Sequence, residues 1–426
     1  MSLRRGLGPV LATFYGVGMI VGAGIYSVIG AAAGKAGDEL WLSFMVGAVA
    51  AALSGLSYAE LVAMHPRAGA EYVYLRAAFP RRRWLPTIIG TAIVLSGVAT
   101  AATVTSAFAN YLQVYVALPT ALVAAALLVV LTGISMAGIR ESAVVNVVFT
   151  LVEIGGLVLV VTVAVLHPGG LDRLATHLHP GIIGGAALVF FAFLGFEEVA
   201  NLAEETRDPT RTIPRVLLAS VAITTVLYVA VAIAVIALLP AEQLAAEDAP
   251  LVAAVSERAP VTARVLGAIA LFATANTGLI TLVSKSRMVF AMARDGALPA
   301  RLATLARTRQ TPWLASLLLL GLALALLPLG GVAAIASVSS FGALVAFIAV
   351  DVALVVLRVR EPHTPRPFAV PWAVGPVPIP TAIAILVSLA LVTALDRRAL
   401  VVGTATLAVG VVIAATRRLW ARQANA

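Results

Sequence analysis

Gly16-Val17-Gly18-Met19-Ile20-Val21-Gly22-Ala23-Gly24-Ile25 is the stretch on which the reading of the chain turns. It lies inside an apolar run from about Leu11 to Ile29, close to the roughly 20 residues a helix needs to cross a bilayer. Gly16, Gly18, Gly22 and Gly24 crowd into it, although each glycine costs a helix about 1 kcal/mol relative to Ala. A break in the helix explains that cost. It frees backbone N–H and C=O groups, which in a membrane must be satisfied by protein or ligand. At the midplane such a break suits a zwitterion: the new N-terminus offers donors to an anion and the loose carbonyls accept from a cation. Close packing explains the glycines equally well, since Gly18 and Gly22 form a GxxxG pair. The stretch alone leaves both readings open.

The composition sets the medium. Hydrophobic residues make up 61% of the 426 and charged residues 12%, against about 25% charged in soluble domains. The sequence therefore reads as an all-α polytopic membrane protein with the lipid bilayer as its partner. The N-terminal Met-Ser-Leu-Arg-Arg lacks a small-residue cleavage site and reads as the start of a retained first helix. There is no cysteine, which excludes disulfides and Cys-ligated metals. A net charge of +9 fits basic cytoplasmic loops better than nucleic acid. No metal or cofactor motif stands out.

Hydropathy predicts twelve spans, at about 8–33, 40–64, 85–117, 119–138, 142–166, 181–205, 214–239, 260–293, 312–330, 332–357, 374–395 and 399–416, in one membrane domain. Most of the 29 Lys and Arg residues then fall on alternate connections, which predicts both termini in the cytoplasm. Residues 71–83 read as an amphipathic segment on the inner surface, and 240–260 as a short acidic helix outside.

A second break is expected in the sixth span, which turns from apolar to acidic around Gly195 and carries Glu197 and Glu198 near mid-crossing. Ionisable groups there are costly and usually face a cavity or a partner. Interrupted helices at matching positions of two five-helix halves are the pattern of inverted-repeat transporters.

Six motifs now stand in order. They are Gly18–Tyr26; Ser57-Tyr58-Ala59-Glu60-Leu61 with Pro66–Tyr72; Phe190–Glu198; Ala203–Arg215; Ser286–Pro299; and Arg366-Pro367-Phe368-Ala369-Val370-Pro371. Together they resemble the amino acid–polyamine–organocation permeases over nearly the whole chain. The resemblance implies the LeuT-type fold: a 5+5 inverted repeat (1–166 and 181–357) plus two extra helices (374–416). It implies an amino acid held at the unwound parts of spans 1 and 6. Its carboxylate would meet the backbone N–H groups around Gly22, Ala23 and Gly24. Its ammonium would meet the carbonyls of Ile20, Phe191 and Leu194, with Ala192, Phe193 and Gly195 beside them. Position alone adds Ala101, Ala102 and Ser106 on the third span.

Glu153 stands mid-span where proton-coupled relatives often carry a lysine, so a lysine-based scheme does not transfer. A buried carboxyl can itself hold a proton. Glu153 and Glu197 are therefore the expected proton-coupling residues, a satisfied structural carboxylate and a helix N-terminal carboxylate being their plainer readings. Thr274, Asn276, Thr277, Thr281 and Ser284 on the eighth span keep sodium as a rival ion. Glu198 reads as structural, Asp351 as a gate or ion-pair residue, and Lys285 and Arg287 as markers of an inner helix end. The chain shows no nucleophile motif, P-loop or dinucleotide fingerprint, which argues against an enzyme. A sensor would need a signalling domain and a channel a polar stripe. The expected function is secondary transport of amino acids, neutral before cationic, driven by protons or running as an exchanger.

Overall fold

A computed structural model describes residues 8–66, 70–82, 84–138, 143–174, 176–204, 206–307 and 309–423. Its helices are α1 (Pro9–Val21), α2 (Ala23–Ala36), α3 (Leu40–Met64), α4 (Ala70–Ala78), α5 (Trp84–Leu112), α6 (Thr120–Ala137), α7 (Ala143–Leu166) and α8 (Gly181–Phe193). They continue with α9 (Pro209–Leu238), α10 (Ala241–Ala246), α11 (Pro250–Ser256), α12 (Pro260–Arg294), α13 (Trp313–Leu326), α14 (Val332–Arg360), α15 (Ile379–Thr393) and α16 (Arg397–Gln423). Among the described residues nine helical runs are long and apolar enough to cross a membrane, the first of them, Pro9–Met64, containing α1, α2 and α3. The protein is a multi-pass helical membrane protein.

Two of the expected spans fall short of crossing length. Trp313–Leu329 and Ile379–Thr393 are apolar but shorter. The first ends in a 3₁₀ turn, Leu327–Leu329, at Gly330, whose φ of +136° suits only glycine. The second loses its expected start to a hairpin, the one sheet among the described residues. Strand β1 (Ala373–Val374) pairs antiparallel with β2 (Val377–Pro378), with Gly375 turning the chain between them at φ +60°.

The core is built around α5, which packs against α12, α14 and α16, while α3 packs against α8 and α9. Helix α4 corrects the expectation of a surface-lying segment. Its Glu71, Tyr74, Leu75 and Ala78 recur at i, i+3, i+4 and i+7 and are buried, so this stripe docks into the bundle against α5 and α14. Residues 240–260 form two helices instead of one; α10 and α11 both lie against α2.

Candidate functional site

The first span is interrupted at a single residue. Gly22, with φ −42° and ψ −151°, joins the end of α1 to the start of α2. Gly24 and Gly16 serve contact: a methyl at Gly24 would stand 2.5 Å from the Ala192 backbone Cα, and one at Gly16 2.5 Å from Ser220 Oγ, while Gly18 lines a cavity. Break and close packing are thus both present.

The sixth span is interrupted over Leu194–Phe196. Beyond Gly195 (φ +119°) it resumes as a 3₁₀ helix, Glu197–Glu204. A methyl on Gly195 would collide with the Met19 carbonyl, so the two breaks meet backbone to backbone. A 3₁₀ run this long is uncommon and often marks a functional hinge.

Tyr228 of α9 ties the breaks together. Its hydroxyl lies 2.8 Å from the Ile20 carbonyl and 3.1 Å from the Ala192 carbonyl. Removing the donor of a buried hydrogen bond costs about 1–3 kcal/mol. Tyr228→Phe should accordingly lower the thermal unfolding midpoint and weaken ligand binding; an unchanged midpoint with unchanged binding would show the bridge to be idle.

A cavity of about 90 Å³ opens between the breaks, several times the space one water needs. Ile20, Gly22, Ala23, Gly24, Phe191, Leu194 and Gly195 all line it. Ala192 does not; it packs against Gly24 instead. The backbone groups are already engaged: the Ala23 N–H donates to Thr277 Oγ1 (2.9 Å), and the Gly195 N–H to Glu197 Oε2 (2.8 Å).

The third span contributes a different face from the one expected. Ile93, Ser96, Gly97 and Thr100 line the cavity, at i, i+3, i+4 and i+7. Ala101 and Ala102 are buried elsewhere in the packing, and Ser106 bonds back to the Ala102 carbonyl at 2.8 Å. On α12 the lining residues are Asn276, Thr277, Ile280, Thr281, Ser284 and Lys285. Thr274 is turned away, donating to the Ala270 carbonyl at 2.7 Å. Ala343, Ala346 and Phe347 of α14 close the apolar side.

The charged end of the cavity departs from expectation at Lys285, which lies inside α12 and not at its end. Glu198 and Lys285 both line it and pair at 2.6 Å. Asn201 Nδ2 (2.7 Å) and Ser284 Oγ (3.2 Å) also donate to Glu198. Glu197 and Glu71 line it too, Glu71 accepting from the Tyr58 hydroxyl at 3.0 Å. Burial pushes the Glu71 carboxyl above its ordinary range, and the Lys285 ammonium pulls it part of the way back. The spacing Thr277, Thr281, Lys285 carried the signal for Lys285. Arg287, by contrast, is exposed.

Glu153 lies outside the cavity wall, 1% exposed where α2, α7 and α12 meet. Asn276 Nδ2 stands 3.3 Å from its Oε1, and its backbone carbonyl accepts from the Tyr26 hydroxyl at 2.8 Å. It is one side chain removed from the cavity, through Asn276. Asp351 is fully buried away from the site, with Ser54 Oγ 3.1 Å from its Oδ2. Among the described residues it forms no ion pair, so its expected pairing is not found.

The fold is thus a multi-pass helical membrane protein with a cavity lined by two interrupted spans. Residues 7–416 match the family model for amino acid permeases, and the chain belongs to that family. It is 31% identical to the branched-chain amino acid permease BcaP of Bacillus subtilis, over 97% of this chain and 92% of that one. It is 30% identical to a methylthioribose transporter of the same organism, over 89% and 87%. With the vacuolar cationic amino acid transporter 4 of Arabidopsis thaliana it shares 32% identity over 85% of this chain and 64% of the other.

Proposed function

We propose that the chain is a secondary active transporter of amino acids in the cytoplasmic membrane, working by alternating access with both termini inside. In this reading its helices form twelve spans, arranged as LeuT-type inverted repeats over 1–166 and 181–357 with 374–416 appended. The observation that carries the site is the meeting of the two breaks around one cavity. The substrate carboxylate replaces or shares the Thr277 hydroxyl at the Ala23 N–H, within Gly22–Gly24. The ammonium is taken by carbonyls of Ile20, Phe191 and Leu194, each of which has two lone pairs. Ala192 and Gly195 hold the second break in contact with the first.

A neutral aliphatic substrate fits best. Ile93, Ile280, Ala343, Ala346 and Phe347 offer an apolar wall, and each cavity carboxylate has a partner in the protein. The relative named for branched-chain amino acids lies on the same side, the one named for cationic amino acids on the other.

Protons are the coupling ion in this account. Glu153 carries them first, because a carboxyl buried among α2, α7 and α12 is desolvated and reaches the cavity through Asn276. Glu197 is the second carrier. Uptake of labelled amino acids into proteoliposomes tests this. An inward proton gradient should drive accumulation in the wild type, and Glu153→Gln should lose accumulation while retaining exchange. Dependence on sodium alone, or a Gln variant that still concentrates substrate under a pH gradient, would contradict it.

A further inference from the structure

The cavity holds three carboxylates, Glu71, Glu197 and Glu198, and among the described residues one basic side chain, Lys285. The path of that side chain is built into the fold. Its stem lies across Gly97 of α5, where any side chain would collide with Lys285 Cγ and stand 2.9 Å from Cε. Its ammonium ends 2.6 Å from Glu198 Oε1. Asn201 takes the other Glu198 oxygen and Ser284 shares the first. The pair is well shielded, with side-chain exposures of 13% for Lys285 and 15% for Glu198.

A four-carbon stem ending in an ammonium group is also the side chain of a basic amino acid. We propose that Lys285 determines substrate specificity: its side chain occupies, from within, an acidic subsite that would otherwise take the ω-ammonium group of a basic amino acid. This rests on the reading of the cavity as the substrate site. With Lys285 in place, Glu198 is fully partnered and the slot over Gly97 is filled. A cationic side chain then meets a resident ammonium, finds the slot over Gly97 filled and finds the Glu198 charge already neutralised. Without Lys285, Glu198 becomes a buried carboxylate lacking its counter-ion, a costly arrangement that a ligand cation relieves. The slot beside Gly97 opens in the same step.

The test uses the purified full chain, with L-leucine, L-norleucine, L-lysine and L-ornithine as probes in thermal unfolding and in competition against labelled leucine. Leucine and norleucine should stabilise the wild type and lysine should not. In Lys285→Ala, lysine should compete at least about tenfold more strongly than in the wild type and should raise the unfolding midpoint. Lys285→Arg should stay closed to lysine. Adding Glu198→Gln to Lys285→Ala should cancel the gain, which a merely structural role for Lys285 would not predict. Lys285→Met, close in size but uncharged, carries the same test if the Ala variant folds poorly, and lysine should then increase its folded yield. Variants that bind leucine yet ignore lysine, or that lysine fails to stabilise or recover, overturn the proposal, as does a wild type that already prefers lysine. A wild type that binds none of the four overturns the reading of the site, and this one with it.

Discussion

Gly24→Leu should abolish saturable uptake and ligand binding. Position 24 is where the first turn of α2 touches the last turn of α8, with Ala192 Cα 2.5 Å and Ala192 O 3.2 Å from any added Cβ. The obstacle is backbone, which cannot rotate aside as a side-chain end can. Overpacking a well-filled site commonly costs about 1–3 kcal/mol, and here the wedge drives apart the two breaks that form the cavity. Gly24→Ala should show a partial loss. Gly155→Ala, in α7 with nothing within 4 Å of the added Cβ, should behave as wild type. Uptake of the monodisperse Leu variant, compared with both controls, reads the result. Normal transport by it would place the substrate elsewhere.

Glu60→Ala should produce the largest loss of stability. Glu60 is fully buried and is grasped from three directions. Arg358 donates through Nε (2.9 Å) and Nη2, Arg366 through Nη1 (3.0 Å), and the Val370 backbone N–H at 2.7 Å. The Arg358 and Arg366 side chains are only 10% and 13% exposed. Removing the carboxylate strands two guanidinium groups, and breaking a buried pair this way costs about 3–5 kcal/mol. The connection from Glu361 to Val370 loses its anchor on α3 at the same time. Thermal unfolding in detergent should show a clearly lowered midpoint, with Glu60→Gln intermediate because its carbonyl still accepts. An unshifted midpoint for Glu60→Ala would mean the cluster contributes nothing net.

That cluster also shows why parts of this protein could be read before the structure. Glu60 belongs to the Ser57–Leu61 motif and Arg366 to the Arg366–Pro371 motif; an ion pair of 3.0 Å joins these two segments, about 300 residues apart in the chain. The breaks were legible for a related reason. Gly22 and Gly195 stand where helices stop, Gly24 where two backbones touch and Gly16 against the Ser220 side chain, so the glycines mark the site whichever reading is taken.

What sequence withheld was rotation about helix axes. The third span is apolar nearly all round, so its pattern does not choose between the stripe Ile93, Ser96, Gly97, Thr100 and the neighbouring Ala101 and Ala102. Each residue turns by about 100°, and an error of one residue moves a side chain from cavity to packing. The place of Glu198 on the cavity wall is hidden for the same reason: after the break the chain winds as 3₁₀, and its neighbours are not those an α-helix would give. Lys285 looked like a helix-end residue because its slot, Gly97, lies on another span.

The central claim is that an amino acid occupies the cavity between the two breaks. The protein contains no cysteine, so a cysteine placed at Thr281, a cavity-lining position on α12, is a unique label site without further changes. The rate at which a small thiol reagent modifies Thr281→Cys in proteoliposomes, with and without L-leucine, tests the claim directly. The account predicts that leucine slows labelling, with half-protection at the concentration that half-saturates transport by the same variant. Labelling that stays at its unprotected rate while leucine is being transported would contradict it.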